Sequence, residues 1–220
     1  MRYNCLLILG VFATGAQADL LTNGSFESLG TFTLPVGPEF PYYDSGSTGL
    51  PGWTAIGDVH NIYDAALVPK ASNGNYYMDL TGVTGYDKGL VSNAFATVAG
   101  AQYTLKFDLG GLLSNTFGNA SVEVQINGTP VAPLFVNNGL SAVCANWPNC
   151  GIDWKTMSYN FTAQSGSTTV AFLGRANGAD SNPNGILLDN VSVVPEPQAY
   201  GLALAGMGVV AVALRRRRDA

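Results

Sequence analysis

The sequence predicts an all-β domain, a two-sheet sandwich over residues 19–194, between an N-terminal signal peptide and a C-terminal transmembrane helix. Segments of polar–apolar alternation, rich in β-branched and aromatic residues, recur through the middle of the chain. Glycine-containing turn pairs punctuate them at short intervals. The two apolar stretches that lack alternation stand at the chain ends, one behind Arg2 and one ahead of an arginine cluster.

At the N-terminus an apolar run over 6–13 follows Arg2, and Ala16 and Ala18 place small residues where a signal peptidase reads them. Residues 1–18 therefore read as a secretory signal, cut before Asp19. Cys5 lies ahead of the apolar run and leaves with it.

Within 19–194, period-two alternation marks strands over 102–109, 120–126, 155–162 and 168–173, each turning one apolar face inward. Turns are expected at Asn73-Gly74, Gly110-Gly111, Asn127-Gly128, Asn138-Gly139, Ser165-Gly166 and Asn184-Gly185. Many short strands at this spacing indicate a two-sheet sandwich. Helical periodicity is not sustained anywhere, apart from a short piece over 63–67. Trp53, after Pro51-Gly52, is expected inside, and so is Trp154, which opens the strand carrying Met157, Tyr159 and Phe161.

Residues 195–220 carry Pro195, Glu196 and Pro197, then an uncharged apolar stretch over 199–214, then Arg215, Arg216, Arg217 and Arg218. As a helix the stretch would measure about 24 Å, just short of a hydrocarbon core of about 30 Å. The arginines would hold its end on the cytoplasmic side, leaving the rest of the chain outside.

Residues 19–194 hold 13 acidic and 5 basic side chains, more acidic in balance than the whole chain at −5. Nucleic acid is excluded as a partner on that charge. Cys144 and Cys150 flank Trp147 in a short polar segment, and in an exported protein such a pair most simply closes a loop as a disulfide. A metal reading would need further Cys or His nearby, and the single histidine, His60, is distant in sequence.

Little points to catalysis. His60 sits in a strand-like segment over 58–62, without a nucleophile elbow to serve. No phosphate loop, dinucleotide fingerprint or zinc spacing occurs, and no acidic pair stands in a glycosidase motif. Sequons at Asn23, Asn119, Asn127, Asn160 and Asn190 follow from a composition rich in Asn, Gly, Ser and Thr.

The Pro-Glu-Pro element, apolar helix and terminal arginines, in that order at the C-terminus, resemble the PEP-CTERM sorting signal of Gram-negative bacteria. The resemblance implies an exosortase in the inner membrane that cuts near Pro195–Pro197, a transient membrane anchor, and a mature form ending near Val194. Four further segments occur in order: L-L-T-N-G-S-F-E from Leu20, L-P-G-W-T from Leu50, N-G-N-Y-Y-M-D-L from Asn73 and I-L-L-D-N-V-S-V from Ile186. Together they resemble the DUF642, or choice-of-anchor C, family, a jelly-roll, galactose-binding-like fold related to carbohydrate-binding modules. That likeness implies a structural calcium ion held by the carboxylates of Glu27 and Asp189, with backbone oxygens around Ser25 and in residues 73–75, Asn75 included. It also implies an extracellular polysaccharide as ligand, with Trp147, Tyr63 and Tyr86 leading the candidate aromatic platforms; Tyr42, Tyr43, Tyr76 and Trp154 are the others. The expected function is a non-catalytic surface or matrix protein that binds exopolysaccharide. The alternatives are a polysaccharide-active enzyme and a self-associating matrix protein.

Overall fold

The computed structural model describes residues 18–33, 40–63, 70–82, 85–112, 120–137, 151–175 and 185–196. In chain order the strands are β1 (Tyr42–Tyr43), β2 (Trp53–Ile56), β3 (Val59–Tyr63), β4 (Tyr76–Asp79), β5 (Gly89–Ser92), β6 (Phe95–Ala96) and β7 (Gln102–Leu112). There follow β8 (Ala120–Ile126), β9 (Thr129–Asn137), β10 (Ile152–Thr162), β11 (Ser167–Thr168), β12 (Val170–Gly174) and β13 (Ile186–Pro195). One antiparallel sheet has six strands in the order β1-β3-β4-β13-β7-β10, and the other has five in the order β2-β5-β12-β8-β9. β6 and β11 form a separate short pair. Stacked face to face, the two sheets make a jelly-roll sandwich.

Alternation fixes the interior. Tyr103, Leu105, Phe107 and Leu109 of β7 and Met157 and Phe161 of β10 point between the sheets, as do Val122 and Val124 of β8 and Val170 and Phe172 of β12. Neighbouring aromatic rings run through the core from Phe26 to Trp53 (5.4 Å between centroids), Phe172 (6.3 Å), Phe107 (5.0 Å) and Phe135 (5.3 Å). Trp53 is buried as expected, at 1% exposure.

β7 defines two ends of the sandwich. At its Leu112 end lie the first residues of β8, β10 and β13 and the last of β9 and β12. Asn137 ties the sheets together there, its amide donating to the carbonyls of Leu109 (2.9 Å) and Asp153 (2.7 Å). At the Gln102 end lie Thr162, Pro195 and Leu20, whose N–H donates to the Val193 carbonyl at 2.9 Å.

Asn127-Gly128 makes the expected two-residue hairpin between β8 and β9, with φ of 51° and 74°. Gly110-Gly111 does not make a turn. Both lie inside β7, paired with Trp154 and Asp153 on one side and with Leu187 and Ile186 on the other. The glycine answers a close approach instead: a Cβ on Gly110 would stand 2.6 Å from Ile152 Cγ2 and 2.6 Å from Trp154 Cζ3. Trp154 itself is half-buried rather than inside. Period two places it on the face opposite Met157, with Thr156, on the outside of the six-stranded sheet. β13 runs through Pro195, so the last strand enters the Pro-Glu-Pro element.

Candidate functional site

The four motifs meet at one place, where the two ends of the domain join. Asn23 adopts φ of 56°, and its side-chain amide donates to the carbonyls of Ser28 (2.9 Å) and Pro51 (3.2 Å). Gly24 presses on β13 so closely that a Cβ would lie 1.9 Å from the Val191 oxygen. The turn continues through Ser25 to Phe26, whose φ of 59° drives the ring into the core, fully buried. The indole N–H of Trp53 closes the same turn on the Asn23 carbonyl at 3.1 Å. Glu27 then points outward and accepts the amide N–H groups of Asn75 and Tyr76, each at 2.8 Å.

Behind the same loop, Asp189 faces Asp108 directly across β13 and β7. Both are buried, at 0% and 4% exposure. Asp189 accepts the N–H of Asn73 at 2.8 Å and of Asn190 at 2.6 Å. Asp108 accepts the Thr156 hydroxyl at 2.6 Å, the Asn190 side-chain amide at 3.0 Å and the Ser72 hydroxyl. Burial pushes the Asp189 carboxyl up to about 7, against the pull of the Asn73, Asn190 and Ser72 amides, and the charge of Asp108 adds to the rise. At this point β13 breaks register between Asp189 and Ser192, and Asn190 takes φ of 52°.

Paired carboxylates are what a hard divalent cation would take, in place of the N–H and O–H groups that occupy all four of their oxygens. Two buried carboxylates share one site beside the hydroxyls of Ser72 and Thr156, and Asn190 turns N–H groups toward both. Bound there, a cation would neutralise the pair and tie β13 to the loop ahead of β4. Among the described residues no third His, Cys, Asp or Glu joins them. Glu27 meets a different stretch of the same loop.

The outer face of the six-stranded sheet carries a second polar and aromatic group. The Trp154 indole lies over Gly110, donates its N–H to the Lys70 carbonyl at 2.8 Å and meets Tyr77 edge-on at 5.7 Å. Further along, His60 pairs in register with Asp79, and the Tyr42 ring stands 6.0 Å from the His60 ring. Burial raises the Asp79 carboxyl, offset by hydrogen bonds from Thr81 and by His60.

A family model described as "Protein of unknown function (DUF642)" matches residues 19–194. The chain belongs to the DUF642 family. A PEP-CTERM protein-sorting motif matches residues 193–218. No protein of curated function matches the chain in sequence. Among solved structures, TmCBM61 in complex with β-1,4-galactotriose is 17% identical, with 81% of this chain and 99% of that chain covered and a TM-score of 0.43. The CBM22-1 xylan-binding domain from Paenibacillus barcinonensis Xyn10C is 15% identical, with 69% and 89% covered and a TM-score of 0.42. A family 35 carbohydrate-binding module from Clostridium thermocellum is 16% identical, with 63% and 90% covered and a TM-score of 0.38.

In this DUF642 chain, then, Glu27, Asn75 and Asp189 come to one loop, with amide N–H groups donating to both carboxylates. Asp108 belongs to the same site although alternation along 102–109 sets it on the polar face. Its signal in the sequence is the Gly110-Gly111 pair two residues on, which marks a sheet face that something approaches closely. Tyr86 is half-buried and packs against the core, and Tyr43 is buried at 1% exposure. Tyr63 lies in β3. Trp147, Cys144 and Cys150 fall outside the described residues, as do Ala16, Pro197 and the arginines from Arg215 to Arg218. Ala18 is exposed at the start of the described chain.

Around Tyr86 the Leu112 end is lined with ion pairs. Lys88 meets Asp58, and Arg175 bridges Asp87 and Glu123. The Arg175 guanidinium holds the Glu123 carboxyl below its usual range.

Proposed function

We propose that this DUF642 protein is an exported, non-catalytic module that binds polysaccharide through the Leu112 end of its sandwich. The supporting observation is the layout of the strands. The ends that lead into 113–119, 138–150 and 176–184 gather at that end, beside Tyr86 and the Arg175 ion pairs, while the sorting motif leaves from the other. Sugar recognition needs aromatic faces flanked by hydrogen-bonding loops on a rigid scaffold, and such residues are at their most precise where several strand ends converge.

In this reading Trp147, braced by a Cys144–Cys150 disulfide, is the leading platform, with Tyr86 as support; Tyr63 closes the end of β3 that runs away from the Leu112 end and is set apart from it. A structural calcium ion at Asp189 keeps the chain ends together, and Ser25, Glu27 and Asn75 shape the loop beside it. Signal peptidase and an exosortase act on the precursor, which passes through the inner membrane of a Gram-negative cell to its surface or matrix. The ligand class is the cell's own exopolysaccharide.

Binding of the mature domain to a glycan array and to purified exopolysaccharide tests the proposal. Trp147→Ala should weaken binding at least ten-fold with Tm unchanged, and no reducing sugar should be released. Reducing-sugar release abolished by a single Asp or Glu substitution would establish an enzyme instead. Failure to bind any glycan, with concentration-dependent assembly, would establish a self-associating matrix protein.

A further inference from the structure

The sorting motif begins at residue 193, whereas the sandwich does not end until Pro195, so the two share a strand. Val193, Val194 and Pro195 pair with Leu105, Thr104 and Tyr103 of β7. Glu196 prolongs the contact: its N–H donates to the Gln102 carbonyl at 2.8 Å, and its carboxylate accepts the Thr104 hydroxyl. From the other side the first residues of the mature chain grip the same strand, with the Val193 N–H on the Asp19 carboxylate at 2.9 Å.

We propose that the folded sandwich masks the front of its own sorting element, holding Pro195 and Glu196 as a strand end that the processing peptidase must draw off β7 before it can cut. The inference rests on the sorting reading above. A peptidase takes its substrate as an extended segment whose backbone groups pair with the enzyme. At Glu196 the backbone N–H is already committed to Gln102. Slack in the chain does not relieve this, because only Pro197 and Gln198 separate Glu196 from the apolar stretch that starts at Ala199. The hold is weak by construction. Pro195 brings no N–H to the ladder, so peeling back the last two residues breaks few hydrogen bonds and leaves the rest of β13 in place. The contact is a latch that delays cutting in a folded domain.

The test is a pulse-chase of the full precursor in an exosortase-bearing host. Thr104→Val removes the hydroxyl from Glu196 and should shorten the cleavage half-time about five-fold, equivalent to about 1 kcal/mol. A Gly-Ser-Gly-Ser insertion between Val194 and Pro195 lifts the element off β7 and should shorten it further. The same insertion after Pro197 adds reach without opening the latch and should leave the half-time unchanged. Equal half-times in all four chains, or equal acceleration by the two insertions, would overturn the proposal. Amide exchange gives a readout independent of the enzyme: in the intact precursor in detergent, the Glu196 N–H should be protected like those of β7, and free exchange would overturn the latch. A protected amide with no enzyme-dependent cleavage in any chain would support the latch and count against the sorting reading.

Discussion

Gly24 accepts the Val191 N–H on its carbonyl at 2.8 Å, and a Cβ added to it would lie 1.9 Å from the Val191 oxygen. The obstruction is backbone, so no rotamer relieves it. Gly24→Ala should therefore cost about 3 kcal/mol or more in denaturant unfolding. Gly46→Ala is the control: its φ of +80° strains any added Cβ, a strain Gly24 does not share, but nothing lies within 4 Å of the added atom, and the loss should stay near 1 kcal/mol. Equal losses would show that the N-terminal motif is not a close-packed join.

Glu27 holds the loop ahead of β4 through two amide N–H groups and is itself exposed. Glu27→Ala should cost only about 1 kcal/mol globally. Its local effect should be larger, with hydrogen exchange at the Asn75 and Tyr76 amides faster by ten-fold or more. Unchanged exchange would remove Glu27 from the join.

Asp189 sets a pH dependence. Its carboxyl is held near 7 in the fold against 3.8 ordinarily, so the folded state keeps a proton that the unfolded chain gives up. Stability of the metal-free domain should fall as pH rises from about 4 to 7 and level off above, a loss of roughly 4 kcal/mol at most from this group. Asp189→Asn should flatten the curve. At pH 8 calcium should raise Tm and a chelator should lower it, since a cation replaces the missing proton. A Tm indifferent to both would exclude the ion.

Trp154 needs Gly110 beneath it. Gly110→Ala should lift the indole from the Lys70 carbonyl and from Tyr77, costing about 2 kcal/mol and exposing Trp154 to acrylamide quenching. Quenching identical to that of the parent chain would show that the ring does not lie over β7.

The fold was legible where burial is one-sided. Strands 120–126 and 155–162 alternate plainly, and Asn127-Gly128 has the turn chemistry of a two-residue hairpin. Reading failed where both faces of a strand are covered. The outer face of β7 is closed over by Trp154 and by the loop before β4, so glycines inside a strand resembled a turn and buried Asp108 resembled a solvated residue. Short strands such as β1 and β6, two residues each, carry too little periodicity to be seen. The site was legible as a set of motifs in order. What each residue contributes was not, because the partners of Asn23, Gly24 and Glu27 lie 28 or more positions away except within the turn itself.

The tail and the strand ends at the proposed binding end lie at opposite ends of β7, whose 11 residues extend roughly 36 Å at ~3.3 Å each. A chain still held by its tail and standing upright would carry that end a full strand length above the bilayer, several times the Debye length of about 8 Å in physiological salt. Lipid charge would not reach it. Capture of a glycan would then need no prior release from the membrane, and cutting the tail would alter the protein's address without altering its grip.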